Sequence, residues 1–251
     1  MKRKLTAAML TLCLAIPMAA CGSSQNDAKT LTIAMEGNWA PWTYHGDDGA
    51  LTGFDVEIGR GIAASMGAEP KFIEGEWDGL FAGMDAGRYD VVINGVDVTE
   101  ERREKYDFSE PYAYIKTVLV VRADNEDIKS FDDLTGRTTA NSIGSTYELL
   151  AEGYGAEVLS VDTLDETMQM VLSGRADATL NASVSVADYL SPDAAIKIVD
   201  ETAEANQVAI PMPKGNETLL SEVNKGIAKL RESGKLKELS EKYFGMDITE
   251  P

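Results

Sequence analysis

Histidine and cysteine are almost absent from this chain. His45 is the sole histidine, and Cys13 and Cys21 are the only cysteines among 251 residues. Metal sites assembled from several imidazole or thiolate ligands are therefore excluded, as is a disulfide framework once Cys13 is lost. Basic residues are also scarce, 23 Lys and Arg against 42 Asp and Glu, for a formal charge of −19. Such acidity argues against binding a nucleic-acid backbone or an anionic lipid surface. No apolar run reaches the roughly 20 residues that a membrane-spanning helix needs. No short-period repeat occurs, and no cofactor is expected.

What is present begins with the N-terminus. Lys2, Arg3 and Lys4 give a positive start, Leu5 to Ile16 a mostly apolar run, and Met18-Ala19-Ala20-Cys21 an ending of small residues. That is the layout of a secretion signal. In an ordinary signal peptide Cys21 would be incidental. The Met-Ala-Ala-Cys ending instead resembles a bacterial lipobox, which implies cleavage before Cys21 and acylation of its thiol. Residues 1–20 would then be a signal peptide and residues 21–30, small and polar, a lipid-anchored tether. Cys13 would leave with the signal. So would Lys2, Arg3 and Lys4, and the balance would become 20 basic against 42 acidic residues, or −22.

The remaining residues suffice for one or two compact domains. Short apolar runs alternate with helical patterns along them. Leu31 to Met35 reads as a buried strand, and Phe54, Ile58, Ile62 and Met66 form one stripe of a helix. Asp55 and Glu57 fall in its first turn, where the helix dipole favours negative charge. Phe72-Ile73 and Val91 to Ile93 read as strands, with a helix from about Asp78 to Ala86 between them. A second series opens near Thr117. It comprises strands at Val118–Val121, Thr138–Ala140, Ala178–Leu180 and Ile196–Val199, with helices around Tyr147–Glu152 and Leu164–Leu172. Two more helices, through Leu219–Leu230 and Leu236–Tyr243, close the chain. Alternating strands and helices predict an α/β fold with mostly parallel sheets in two units. Periodicity alone does not assign the last two helices to either unit.

Gly53-Phe54-Asp55-Val56-Glu57-Ile58-Gly59-Arg60-Gly61-Ile62-Ala63-Ala64-Ser65-Met66 resembles the signature of the family 3 extracellular solute-binding proteins, which serve ABC importers for polar amino acids. The likeness runs from Leu31 to about Thr249 and includes Trp39-Ala-Pro-Trp42, Gly87-Arg-Tyr-Asp90, Thr99-Glu-Glu-Arg102, Tyr106-Asp-Phe-Ser109, Phe131-Asp-Asp-Leu-Thr-Gly136 and Lys242-Tyr-Phe-Gly245. It implies the two-lobed periplasmic-binding-protein-like fold of type II, with two crossover hinge strands and the ligand between the lobes. Lobe one would comprise residues 30–114 plus 207–251, and lobe two residues 116–206. The implied partners are a small ligand, an amino acid by family, and an ABC transporter permease. The protein would be a monomer held to the membrane by its lipid alone.

Without context, Arg102 sits in a charged helix start that reads as solvated. The resemblance implies instead that it forks onto the ligand's α-carboxylate, for which a planar guanidinium is suited. Gly144-Ser145-Thr146 reads as an N-cap. By resemblance, its backbone amides and the Thr146 hydroxyl meet the same carboxylate, and Tyr147 adds a contact. Trp39 and Trp77 match positions of aromatics against the ligand, whereas Trp42 belongs in the core. Glu36 matches a site that contacts polar ligand tails, although alone it reads as a surface carboxylate. Asn94 and Gly95 follow the Val91–Ile93 strand, Gly95 offering only a backbone N–H. In lobe two the family's ammonium-binding aspartate falls at Ala182, next to Asn181. Asp97, at a position often held by a hydroxyl, would either meet the ligand's ammonium instead, or cap the Thr99 helix or face solvent.

A secreted dehydratase on the same fold is the competing reading. It needs a positioned acid and base near neutral pH. His45 lies in a Gly/Asp-rich loop, which leaves only Asp97 or Glu36 for that role.

Overall fold

The structure, a computed structural model, describes residues 29–190 and 193–251. The secretion signal and the Cys21 anchor lie outside the described residues. Strand β1 (Thr30–Met35) is followed by a small hairpin of β2 (Tyr44–His45) and β3 (Leu51–Thr52). Helix α1 (Phe54–Met66) begins at Gly53, whose φ of 128° and contact with the Trp42 carbonyl leave no room for a Cβ. Its buried stripe of Phe54, Ile58 and Ile62 matches the spacing in the sequence. Then come β4 (Glu69–Glu74), α2 (Trp77–Asp85), β5 (Val91–Val92) and the short α3 (Glu100–Lys105). Strands β4, β1 and β5 form a parallel three-stranded sheet in that order.

Strands β6 (Tyr106–Phe108) and β7 (Ala113–Ile115) lead out of this lobe, and β8 (Thr117–Arg122) opens the second. There follow β9 (Thr138–Asn141), α4 (Thr146–Gly153), β10 (Glu157–Ser160), α5 (Leu164–Leu172), β11 (Ala178–Ala182), α6 (Ser183–Val186) and β12 (Ile196–Glu201). The second sheet runs β10-β9-β11-β8-β12. The first three are parallel, but β8 is antiparallel to both its neighbours. This sheet is thus more mixed than the alternation of elements predicts, because β8 arrives directly from the crossover with no helix before it to reverse the chain. Val118 and Val120 pack into one apolar cluster and Leu119 and Val121 into another, on opposite faces. A continuous apolar run is what a strand covered on both faces requires.

Strand β13 (Asn206–Val208) returns antiparallel to β7, and β14 (Pro211–Pro213) pairs with β6. The two crossings between the lobes run side by side through the β7–β13 pair, whereas β6 and β14 pair within the first lobe, next to β5 and α2. Helices α7 (Glu217–Glu232) and α8 (Lys235–Phe244) then bury Leu219, Val223, Ile227, Leu236 and Leu239 in the same cluster as α1 and β1. The C-terminal helices therefore pack on the first lobe. That cluster also takes in Ala182 and Val184 from the second lobe, so the two lobes share buried apolar contact beside the cleft.

Candidate functional site

In open parallel sheets, ligands collect beyond the carboxyl ends of the strands. Here β1 ends at Glu36, β5 runs into Ile93-Asn94-Gly95, β9 ends at Asn141-Ser142 and β11 carries Asn181, all at facing edges of the two lobes. Glu36, Trp39, Trp77, Asn94, Gly95, Asp97, Arg102, Ser145, Thr146, Tyr147 and Asn181 line one cleft between the lobes. Asn38, Ser142, Asp162, Leu164 and Thr167 line it too, and sequence reasoning missed them.

The first-lobe loop is held from behind by Asp55. This carboxylate is fully buried in the first turn of α1, where its Oδ2 accepts the Gly95 N–H at 2.6 Å and its Oδ1 accepts the Tyr112 hydroxyl at 2.8 Å. Burial pushes its pKa up to about 7, against the pull of those two donors. Gly95, at φ 55°, lies so close to Trp39 that a Cβ would come within 2.6 Å of the indole. Trp39 in turn stacks on Trp42, with centroids 5.3 Å apart. Trp42 is in the core, as its place in the sequence predicts.

Asn94 is fully buried and bracketed with Glu36. Its Oδ1 accepts the Glu36 N–H at 2.9 Å and its Nδ2 donates to Glu36 Oε2 at 2.6 Å. Glu36 is half-buried rather than a surface carboxylate. Burial raises its pKa to about 7, with the Asn94 hydrogen bond opposing and Glu76 adding to the rise.

Arg102 sits in the first turns of α3, whose N-cap is Thr99. The Thr99 hydroxyl accepts the Arg102 N–H at 3.1 Å. Asp97 therefore does not cap this helix, and at 7% exposure it does not face solvent either. The guanidinium lies between two rings, 5.3 Å from the Trp77 centroid and 5.2 Å from that of Phe81. Its Nη1 donates to the Asp97 carbonyl at 2.9 Å, and its Nη2 crosses the cleft to the Gly144 carbonyl at 3.2 Å. Neighbouring Arg103 is exposed. Phe81 was not singled out from the sequence, although its place one helical turn after Trp77 puts both rings on one face.

On the second lobe, Ser145 is the N-cap of α4, accepting the Glu148 N–H at 3.1 Å. The Thr146 hydroxyl donates across the cleft to Asp97 Oδ2, which Asn206 Nδ2 also approaches at 3.3 Å. The Tyr147 phenol is pushed well above its ordinary pKa by burial, with Asp97 adding to the rise. Asn181 accepts the Ala182 N–H at 2.9 Å, while its Nδ2 has no hydrogen bond within the described residues. Burial raises the Asp97 pKa to about 6, against the pull of Thr146, Arg102 and Asn206. Arg102 to Gly144 and Thr146 to Asp97 are direct bonds between lobes, so the cleft is shut. Its remaining space is about 50 Å³, room for a few waters.

The model of the bacterial extracellular solute-binding proteins, family 3, matches residues 31–246. A probable amino-acid ABC transporter-binding protein of Haemophilus influenzae is 38% identical, over 88% of this chain and 87% of its own. Among solved structures, an ancestral arginine-binding protein bound to arginine superposes with a TM-score of 0.80 at 34% identity, covering 86% of this chain and 98% of its own. The L-cystine solute receptor of Neisseria gonorrhoeae, unliganded and open, gives 0.60 despite 40% identity, over 90% and 97%. The lower score for the closer sequence accords with the closed arrangement of the lobes here. The chain belongs to the family 3 bacterial extracellular solute-binding proteins.

Proposed function

We propose that this chain is the solute-binding component of an ABC importer, closing its lobes around an α-amino acid and presenting the closed form to a permease. The observation that carries the reading is Arg102. Its guanidinium is gripped by Trp77 and Phe81 on one lobe and aimed at the Gly144 carbonyl beside the α4 N-terminus on the other. A ligand carboxylate entering there would take Arg102 Nη2 from that carbonyl and meet the first amides of α4, which have no intrahelical acceptor. One anion would then bond both lobes, so its binding energy favours the closed state. Trp39 gives the apolar wall. Glu36 with Asn94, and Asn181 Nδ2, give polar contacts further along. The lobes would divide as residues 30–114 plus 207–251 and 116–206, an assignment supported by sheet membership and by the β7–β13 crossover.

The side chain favoured is a cationic one. Glu36, Asp97 and Asp162 line the cleft against the single cation Arg102, so a second carboxylate on the ligand would find no counter-charge there. Arginine, bound in one of the two similar structures, and cystine, for which the other receptor is named, make this a real choice. A thermal-shift screen against the proteinogenic L-amino acids and L-cystine tests it. Arginine or lysine should stabilise the protein most and glutamate least. A larger shift with cystine or glutamate would overturn the preference, and no shift with any amino acid would overturn the function.

Binding without turnover is the role. Glu36 is tied by Asn94, and Asp97 by Thr146 and Asn206, bonds that hold both carboxyls in fixed positions along the cleft. The chain would act as a monomer, anchored outside the cytoplasm by acylated Cys21 on its polar tether. Cys21→Ala should move the protein from the membrane to the soluble fraction. Unchanged membrane association would contradict the anchor.

A further inference from the structure

We infer that residues 246–250 form a strap that clamps strand β7 to the first lobe, and that this strap places the pivot of lobe closure at Ile115, where β7 lies beside Asn206. The inference goes beyond the binding reading and does not depend on which solute is bound. Strand β7 has a neighbour on each edge. On one edge it pairs with β13, Ile115 opposite Asn206. On the other the Tyr114 N–H donates to the Ile248 carbonyl at 2.7 Å. The strap is itself fixed to the C-terminal helices. Ile248 is 5% exposed, within the apolar cluster that α7 and α8 share with α1. The fully buried Ser240 hydroxyl of α8 donates to the Met246 carbonyl at 2.6 Å and accepts the Ile248 N–H at 2.9 Å. Arg231 of α7 donates through Nη1 to the Thr249 carbonyl at 3.0 Å and through Nη2 to the Pro111 carbonyl at 2.8 Å. Its Nη1 also meets the Glu250 carboxylate at 3.0 Å. One guanidinium thus ties the strap to the chain that enters β7.

The bonds on either side of Ile115 belong to opposite lobes. Tyr114 is held by the strap. Lys116 gives its carbonyl to the Ser183 N–H at 2.9 Å, and the Thr117 carbonyl accepts the Thr202 N–H at 2.9 Å, both within the second lobe. Between these two sets the outgoing crossing has Ile115 alone. In the returning crossing, the Gln207 carbonyl accepts the Val98 N–H at 2.9 Å and the Ala209 N–H donates to the Val96 carbonyl at 3.1 Å, both within the first lobe. Residues 203–206 lie between those bonds and Thr202. Their last member, Asn206, stands opposite Ile115, so the two free lengths of backbone meet on one axis. The Asn206 side-chain amide touches Asp97 of the first lobe and Thr117 of the second, as a residue on that axis can. Bending confined to a few residues between bonded segments is closure of the hinge type. Without the strap, the length free to bend would extend back to Tyr112, whose N–H is held by the Val208 carbonyl at 2.9 Å. Arg231 is therefore a positioning residue for closure, acting through the strap.

Residue-resolved hydrogen exchange and small-angle scattering of the ligand-free protein test this, on wild type, on a chain ended after Asp247 and on Arg231→Gln. In wild type the Tyr114 amide should exchange as slowly as the amides of β1, because opening of the lobes leaves its bond intact. Ending the chain after Asp247 should speed Tyr114 exchange by about 10-fold or more, while the amides of β1 and of Ser183 stay within about twofold. The radius of gyration should rise, because a looser pivot admits more open arrangements. Arg231→Gln should move both readouts the same way, Tyr114 exchange by about threefold, and it carries the test if the shortened chain does not fold. Fast exchange of Tyr114 in wild type overturns the strap, as does Tyr114 exchange that neither variant alters. Acceleration spread evenly into β1, or an unchanged radius of gyration, would leave the segment a stabilising role only and overturn its role at the pivot.

Discussion

The indole Nε1 of Trp42, in the first lobe, donates to Ser185 Oγ of the second at 3.0 Å, and both residues are 1% exposed. This bond lies outside the ligand cleft, yet it joins the lobes, and Trp42 is stacked on the cleft wall residue Trp39. As a contact between lobes it is expected to favour the closed state. Ser185→Ala leaves the indole N–H buried without an acceptor on closure, at a cost of about 1–3 kcal/mol. Ligand affinity should fall by roughly 5- to 160-fold, since closure is part of binding. Small-angle scattering should report a larger radius of gyration for the ligand-free variant. An unchanged radius and affinity would show that this bond does not bias closure.

Asp55 makes a pH-dependent contribution whose sign is set by its raised pKa. The carboxyl shifts from 3.8 to about 7 on folding because it is buried, and the donors Tyr112 and Gly95 offset only part of that. Between those values the native state keeps a proton that the unfolded chain has released. The contribution of Asp55 to stability is therefore complete below about pH 4, is lost as pH rises towards 7, and stays lost above it. Asp55→Asn, which keeps the shape, should flatten that part of the curve. Urea unfolding of the ligand-free protein at several pH values between 4 and 8 measures it. An Asp55→Asn profile parallel to that of wild type would contradict the assignment.

Phe81 holds Arg102 without lining the cleft. Its ring is 5.2 Å from the guanidinium and packs on Trp77 and Tyr106. Phe81→Leu keeps an apolar side chain but removes the π-face, worth about 0.5–2 kcal/mol in a partly desolvated site. Affinity should fall by roughly 2- to 30-fold while the unfolding midpoint moves little. Equal affinity in the two proteins would mean that Trp77 alone orients the arginine.

The sequence was most legible where a contact is local or a period is long. The four-residue spacing from Phe54 to Met66 marks α1 because one helix face packs on one core, and the α4 cap at Ser145 is a three-residue pattern. The crossovers were not legible from periodicity. Strands β7 and β13 are three residues each, and they pair across 91 positions, Ile115 with Asn206. The α-helical address of the chain's end was equally hidden, since α7 could cover either lobe until its packing on α1 is seen. At the site, the residues carried by the family likeness come together in one cleft, but their supports do not announce themselves. Asp55 reads only as a dipole-favoured acid in the first turn of α1, because its partner Gly95 lies 40 residues away. Asp97 could be read as a cap because Thr99 lies two positions on, and only the Thr99–Arg102 bond decides between them.

Capture of an amino acid through Arg102 is tested most directly by calorimetric titration of wild type and Arg102→Ala with the tightest-binding amino acid from the screen. Wild type should bind one molecule saturably, and ligand at 100 times its dissociation constant should stabilise the fold by about 2.7 kcal/mol. Arg102→Ala should keep its fold and lose about 2–5 kcal/mol of affinity, because the carboxylate would be enclosed without its counter-charge. Near wild-type affinity in Arg102→Ala would contradict the carboxylate clamp, and with it the way the two lobes are held together.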